Sequence, residues 1–271
     1  MSGDKGPVTS DRSAGEPVLD RAFRLLGAFS VADDSLSLTS LSTRSGLPKS
    51  TALRMATRLV GLGALERTGD GRYVIGLRLY ELASLAPSHG LRGVALPYLE
   101  DLHHATGQHV LLAVRDGHEA VLVERLSAHR AGRVLYRVGG RMPLHATGVG
   151  LALLAHAPDA VQREVLDGDL TLRPENLARS PREVRRLLAG VRTEGVAVIS
   201  RARPEPMTSV AAPVFGPGRA VVAALSVVVP AGSADASAVR PAVIAVSRAV
   251  SRQVGHREGG AGRGRGLAAG G

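Results

Sequence analysis

Residues 38–75 read LTSLSTRSGLPKSTALRMATRLVGLGALERTGDGRYVI. Leu38 and Leu41 lie on one side of a short predicted helix that stops at Gly46, a residue that turns the chain without steric cost. Pro48 follows near the start of a second helix, where its fixed φ is suited to the first turn. That second helix carries Lys49, Arg54 and Arg58 and no acidic residue. Asp70-Gly71 then makes a hairpin turn between two apolar strands. This is the order of a winged helix-turn-helix, which sets one helix into the major groove of DNA. Residues 48–62 alone read better as an amphipathic helix with a solvated basic face. The preceding helix, the glycine turn, the hairpin and the missing acids together favour the DNA reading.

Packing assigns the side chains of this module. With Gly46 in the turn, Leu41 and Leu47 point inward, and Ala52 and Met55 fall on the inner face of the second helix. Ser42 is small where the two helices approach closely. The outer face keeps Lys49, Ser50, Thr51, Arg54 and Arg58. Residues early in a recognition helix reach base edges, and later basic ones meet phosphates. Ser50, Thr51 and Arg54 are therefore expected to read bases, and Arg44, Lys49 and Arg58 to hold phosphates. Arg67 and Arg72 flank the wing turn and are expected at the DNA backbone or minor groove.

The chain has 271 residues, 44% of them apolar, and a formal net charge of +10. Lys5 and Lys49 are its only lysines, so the positive balance is almost entirely arginine. Arginine suits phosphate, but a high-GC genome gives the same bias, so the positions of the arginines carry more than their number. Three Phe, four Tyr and no Trp leave a core of Leu, Val and Ala. The absence of Cys excludes a disulfide, a thiolate metal site and a Cys nucleophile. There is no apolar run of about 18 residues and no signal-like N-terminus. A soluble, cytoplasmic protein with no membrane partner is expected.

Residues 1–16 and 256–271 are low-complexity and expected to be disordered tails, the second carrying Arg263 and Arg265. Residues 17–77 hold the winged module. It opens with VLDRAFRLLGAF, where Val18, Leu19, Ala22, Phe23, Leu25, Leu26 and Phe29 form the apolar stripe of a helix. LRLYELASLA gives a linker helix within 78–90. Residues 91–255 mix helices and hairpins. A helix runs near Pro97, which marks its start or a break. HVLLAVR and AVLVERL pair about Asp116-Gly117, RVLYRV is a further strand, and TGVGLALLAHA and PREVRRLLAGVRTEG are helices. SVAAPVF and AVVAALSVVV are long strands joined by Gly216-Pro217-Gly218, and a last helix spans about 238–254. The fold class is α+β: a winged helix-turn-helix, a linker helix, and an antiparallel sheet flanked by helices.

In this order the chain resembles the IclR-type transcriptional regulators. VLDRAFRLLGAF, LTSLSTRSGLPKSTALRMATRLVGLGALER and GRYVIGLRLYELASLA are similar to the family's DNA-binding half, and MPLHATGVGLALLA and SVAAPVF…AVVAALSVVVP to its effector domain. The resemblance covers about 17–255. It implies a GAF-like effector-binding and oligomerisation domain, homodimers or homotetramers, near-palindromic promoter sites in double-stranded DNA, and more often repression than activation.

A ligand site is expected around Leu144-His145-Ala146-Thr147-Gly148-Val149. Thr147 is a fitting N-cap, which leaves the Gly148 and Val149 amides at a helix N-terminus. By itself the segment reads better as a simple capped helix. The resemblance implies a small organic acid with its carboxylate on those amides. It also exposes departures. A family acidic position falls on Ile199, a frequent Cys on Ser209, and a frequent Lys on Leu151. Ser226 matches a family serine, the next inward position is Val228, and the usual acidic stretch reads RARPEP, with Pro206 where Gly is common. A site without those polar groups cannot satisfy a highly polar ligand. A less polar carboxylate, aromatic or aliphatic, or no effector at all, is expected.

Two rivals remain at this point. His103, His104, His109 and His145 lack partner carboxylates at metal-site spacing, and Ser209 and Ser226 lie on strands without a nucleophile elbow. With no phosphate loop or dinucleotide fingerprint either, neither an enzyme, a metal site nor a cofactor is expected. The other rival is a DNA-binding protein whose second domain only oligomerises.

Overall fold

The structure, a computed structural model, describes residues 16–30, 33–128, 134–170, 180–202, 204–233 and 235–260. The expected tails at 1–15 and 261–271, with Arg263 and Arg265, lie outside the described residues. The chain divides into two compact units, one ending at Ala86 and one beginning at Pro87.

In the first unit, α1 (Val18–Leu26), α2 (Leu38–Ser45) and α3 (Lys49–Gly61) precede β2 (Leu65–Arg67), β3 (Tyr73–Ile75) and α4 (Leu77–Ser84). A short β1 (Ser35–Leu36) joins β3, giving the antiparallel order β1-β3-β2. Ser37 caps α2 by accepting the Ser40 amide at 3.1 Å. Gly46 ends α2 at φ 64°, the left-handed value a side chain would resist. The turn is fastened by Ser42, whose hydroxyl donates to the Leu47 carbonyl at 2.7 Å, so its role is bonding as well as size. Leu41, Leu47, Ala52 and Met55 are buried with Leu25, Leu36 and Tyr73 in one core. The stripe expected on α1 is divided. Leu25 is buried and Ala22, Leu26 and Phe29 pack inward, whereas Val18, Leu19 and Phe23 face outward. Seven apolar positions exceed what one helical face can bury against a core this small.

The second unit is one six-stranded antiparallel sheet, preceded by α5 (Pro87–Thr106) and closed by α9 (Asp235–Gly260). Its strands are β4 (His109–Asp116), β5 (Glu119–Leu126), β6 (Arg141–Pro143), β7 (Ala197–Arg201), β8 (Met207–Phe215) and β9 (Val221–Pro230), in the order β6-β5-β4-β9-β8-β7. α5 and α9 cover one face; α6 (Gly148–Leu154), α7 (Asp159–Asp167) and α8 (Pro181–Glu194) cover the other. Both faces are dry, so β8 and β9 read as unbroken apolar runs. The period of two survives only in which core each residue enters: Val210, Ala212 and Val214 join α5 and α9, while Met207 and Ala211 join α6.

Three expectations are corrected. Pro97 neither starts nor breaks a helix but lies inside α5. It is exposed, as is Gly93 four residues earlier, so the carbonyl deprived of its helical donor faces water. RVLYRV forms no strand over its described residues. Its backbone is held beside β5 by the Arg125 guanidinium, which donates to the Tyr136 carbonyl at 2.8 Å. Ladder-like bonding to β5 resumes only where Gly139 and Gly140 meet Leu122. The last helix runs on to Gly260 rather than ending near 254.

Candidate DNA-reading surface and ligand cavity

α3 presents Lys49, Ser50, Arg54 and Arg58 to solvent, with Thr51 half-buried beside them. Ser50, Arg54 and Arg58 follow at i, i+4 and i+8 and so share one stripe, opposite the buried Ala52, Met55 and Ala56. Among the described residues, none of Lys49, Arg54 and Arg58 has an ion pair or a side-chain hydrogen bond. Sequence reasoning missed Leu53, an apolar residue 45% exposed on the same helix beside Arg54. Its signal was an apolar residue off the inward period.

The other three basic candidates are already engaged. Arg44 lies on α2, pairs with Asp33 at 2.6 Å and donates to the Ala28 carbonyl at 3.3 Å. Arg67 donates to the Gly71 carbonyl at 3.3 Å and lies 5.9 Å from the Tyr73 ring centre. Arg72 donates from Nε to the Ser35 hydroxyl at 2.9 Å and from its terminal nitrogen to the Ser35 carbonyl, pinning β1 to the wing. At the wing tip Gly71 takes φ 82°. The Thr68 hydroxyl donates to Asp70 and holds that carboxyl below its ordinary range, with the Arg72 backbone and charge adding to the effect.

In the second unit, strand register assembles a cavity under α6. Ile199 on β7 stands opposite Ser209 on β8, which stands opposite Val228 on β9. The neighbouring row on the same face is Ala197, Ala211, Ser226 and, on β4, Leu111. Thr147, Gly148, Val149, Ile199, Ser209, Ser226 and Val228 all line this cavity, whose empty volume is about 550 Å3 with its open mouth included. Leu144 does not line it. Its side chain is fully buried in the core beneath α6, and its backbone lies so close to Gly150 that a Cβ there would meet the Leu144 carbonyl at 2.6 Å.

Thr147 caps α6. Its hydroxyl accepts the Gly150 amide at 3.1 Å and donates to the Pro143 carbonyl at 3.0 Å, so it has little left for a ligand. The Gly148 and Val149 amides have no acceptor in the helix itself. Gly148 is required by contact: a Cβ there would lie 2.3 Å from the Ser209 hydroxyl and 2.9 Å from the Ser209 Cβ. Ser226 is fully buried, and its hydroxyl has no hydrogen-bond partner among the described residues. Ile199, where the resemblance implied an acid, adds apolar wall.

Several lining residues were not foreseen: Leu111, Met142 and Met207, the Val134–Tyr136 segment, and Ser200 with Arg201 at the end of β7. Leu111 was not findable by alternation, because Val110–Val114 is an unbroken apolar run packed into both cores. Arg201 was findable as the residue two beyond Ile199 on one strand face. Tyr136 was not, because the segment had been read as a strand. Among the described residues, no cluster of three or more His, Asp or Glu could hold a metal, and no helix is long and apolar enough to cross a membrane.

Comparison with known proteins places both units. Residues 18–69 match the IclR helix-turn-helix domain, and residues 83–256 match the bacterial transcriptional regulator IclR C-terminal domain. The HTH-type transcriptional regulator XynR of Escherichia coli is 32% identical over 77% of this chain and 84% of its own length. The transcriptional repressor IclR of the same organism is 32% identical over 51% of this chain and 52% of its own. Among solved structures, an IclR homologue from Microbacterium hydrocarbonoxydans, complexed with 4-hydroxybenzoate, shares 34% identity. Its TM-score is 0.78, covering 87% of this chain and 98% of that one. These relatives are transcriptional regulators rather than enzymes, and this chain belongs to the IclR family of DNA-binding transcriptional regulators.

Proposed function

We propose that the protein is a ligand-responsive repressor that works as a homodimer or a pair of dimers. The DNA-binding part is assigned to 17–77, a linker to 78–90, and the effector and oligomerisation part to 91–255. Two copies of α3 enter neighbouring major grooves of a near-palindromic site, Ser50, Thr51 and Arg54 reading bases. Lys49 and Arg58 hold phosphates from the same helix, while Arg44, Arg67 and Arg72 flank the DNA backbone. Pairing of copies is supported by apolar side chains left outward on α1 and α4, with Phe23 73% and Tyr80 65% exposed. Outward apolar faces of this kind mark association surfaces.

The observation that carries the effector reading is the cavity under α6: apolar walls, Ile199 in place of an acid, and the buried Ser226 hydroxyl awaiting a partner. Such a lining suits a small carboxylate with an apolar body. The Microbacterium relative's 4-hydroxybenzoate is of that class. A ligand alters DNA affinity only through its different affinity for the DNA-competent and DNA-incompetent states. The test is fluorescence anisotropy of the full chain on the promoter fragments it occupies, titrated with aromatic, aliphatic and small polar acids. An aromatic or aliphatic acid is expected to shift operator affinity at least about fivefold. If only glyoxylate-like acids act, the apolar-effector reading is wrong. If no acid acts, the second unit serves oligomerisation alone.

A further inference from the structure

Leu53 is the one large apolar side chain exposed on α3 among the described residues, at 45%. It belongs to no described core: the cluster that gathers Ala52, Met55 and Ala56 leaves it out. It stands one turn from Lys49 and one turn from Thr57, both exposed, and next to Arg54. A lone exposed leucine is ordinary on a protein surface. A leucine set among unpaired cations is a different case. A protein partner that covered Leu53 would also bury Lys49 and Arg54, and α3 supplies no carboxylate to offset them. Duplex DNA meets both needs. Its phosphates take the cations, and its major groove offers one apolar group to the side chains that enter it, the C5-methyl of thymine. The place along the helix agrees. Leu53 is the fifth residue of α3, in the half that approaches base edges. Successive helical side chains point about 100° apart, so Leu53 and Arg54 reach neighbouring base pairs rather than one.

We propose that Leu53 is a specificity-determining residue that packs on a pyrimidine C5-methyl beside the guanine that Arg54 reads. The proposal rests on the DNA-reading role of α3 proposed above and adds a base that no hydrogen bond specifies. A leucine side chain neither donates nor accepts, so the methyl alone decides at this position. Thymine and 5-methylcytosine carry the same methyl at the same place in the groove, and a half-site with either satisfies the contact.

The test starts with selection of duplexes from a randomised library by the full chain, as wild type, Leu53→Ala and Arg54→Ala. Arg54→Ala is expected to relax one guanine, and Leu53→Ala one adjoining thymine. The selected duplex is then made with thymine, uracil, cytosine or 5-methylcytosine at that position, each correctly paired, and binding is measured by fluorescence anisotropy. Removing the methyl is expected to weaken the wild type about fourfold, the worth of one buried carbon, both from thymine to uracil and from 5-methylcytosine to cytosine. The tighter of the two methylated duplexes names the base that the site uses. Leu53→Ala is expected to bind the members of each pair alike, and Leu53→Met to keep much of the preference. Melting temperatures of both variants stay level, because the core leaves Leu53 out. Equal wild-type affinity for thymine and uracil overturns the proposal, as does a methyl preference that survives Leu53→Ala. Loss of affinity on every duplex together with a smaller assembly in sedimentation would make Leu53 a contact between copies, and overturns it too. If the wild type enriches no sequence from the library, the DNA-reading role of α3 falls and Leu53 with it; enrichment without methyl dependence removes the Leu53 assignment alone.

Discussion

The outer face of α3 and the cavity under α6 are built by opposite rules. On α3 the candidate residues come from one continuous segment, are held by a buried opposite face, and keep their charged ends unengaged until a partner arrives. Under α6 they come from segments as far apart as Leu111 and Val228, are mostly buried, and meet only through strand register. A surface built on one helix tolerates exchange of its outward side chains with little effect on folding. A cavity built from six elements does not, because most of its lining residues are also part of the core. The two regions should therefore respond differently to substitution: function without stability on α3, both together under α6.

The largest expected effect is at Gly148. An added Cβ must displace Ser209, whose own Cβ lies 2.9 Å from that position and Oγ 2.3 Å. Overpacking of this kind costs roughly 1–3 kcal/mol. Gly148→Ala should lower the melting temperature and abolish any ligand-induced change in DNA affinity. Ser209→Gly in the same chain should restore much of the stability by removing the group in the way. Denaturant unfolding of the single and double variants measures this. A Gly148→Ala protein as stable as wild type would show that α6 shifts freely against β8, and the contrast with α3 would lose its basis.

The arginines sharpen the comparison within the DNA-binding unit. Arg54 bonds to nothing among the described residues, whereas Arg72 ties the wing to Ser35. Arg54→Ala should leave unfolding unchanged and cost about 1–3 kcal/mol of discrimination between operator and random duplex. Arg72→Ala should weaken both duplexes alike, reduce the salt slope by about one phosphate's worth, and lower stability by about 1 kcal/mol through the lost Ser35 bonds. Anisotropy across a salt series with both duplexes separates the two. Equal losses on both duplexes for Arg54→Ala would remove its assignment as a base reader.

The same contrast explains what could be read ahead of the structure. The period of α3, its glycine turn and its hairpin are local, so Leu41, Leu47, Ala52 and Met55 were placed inward from spacing alone. The cavity residues on β7, β8 and β9 were reachable only through resemblance: β8 and β9 are dry on both faces, which hides their period, and no strand had been read over β7, whose buried and exposed residues alternate. Leu144 was misplaced because a loop before a helix has no period to say which side chain turns into the core. Tyr136 was missed because an apolar alternation promised a strand that Arg125 holds as irregular chain instead. Arg201 was passed over as part of a departure from a pattern, because no strand had been read over Ala197–Arg201 to place it two beyond Ile199.

The smallest expected effect is a pH response confined to the second unit. His156 packs edge-on to Phe215 with ring centres 5.3 Å apart. Burial lowers its pKa, and the charges of Arg192 and Arg219 lower it further. The folded state therefore holds His156 neutral where the unfolded chain, with an ordinary value near 6.5, takes up the proton. Unfolding binds protons in that window, so the contribution of His156 to stability is complete above about pH 6.5 and is lost as pH falls toward its folded value. His156→Gln should flatten the decline in stability between pH 7 and pH 5.5 without altering DNA discrimination at neutral pH. Chemical denaturation at several pH values compares the slopes. A variant whose decline matches the wild type's would mean that the ring protonates in place, its edge reaching water more readily than its contact with Phe215 suggests.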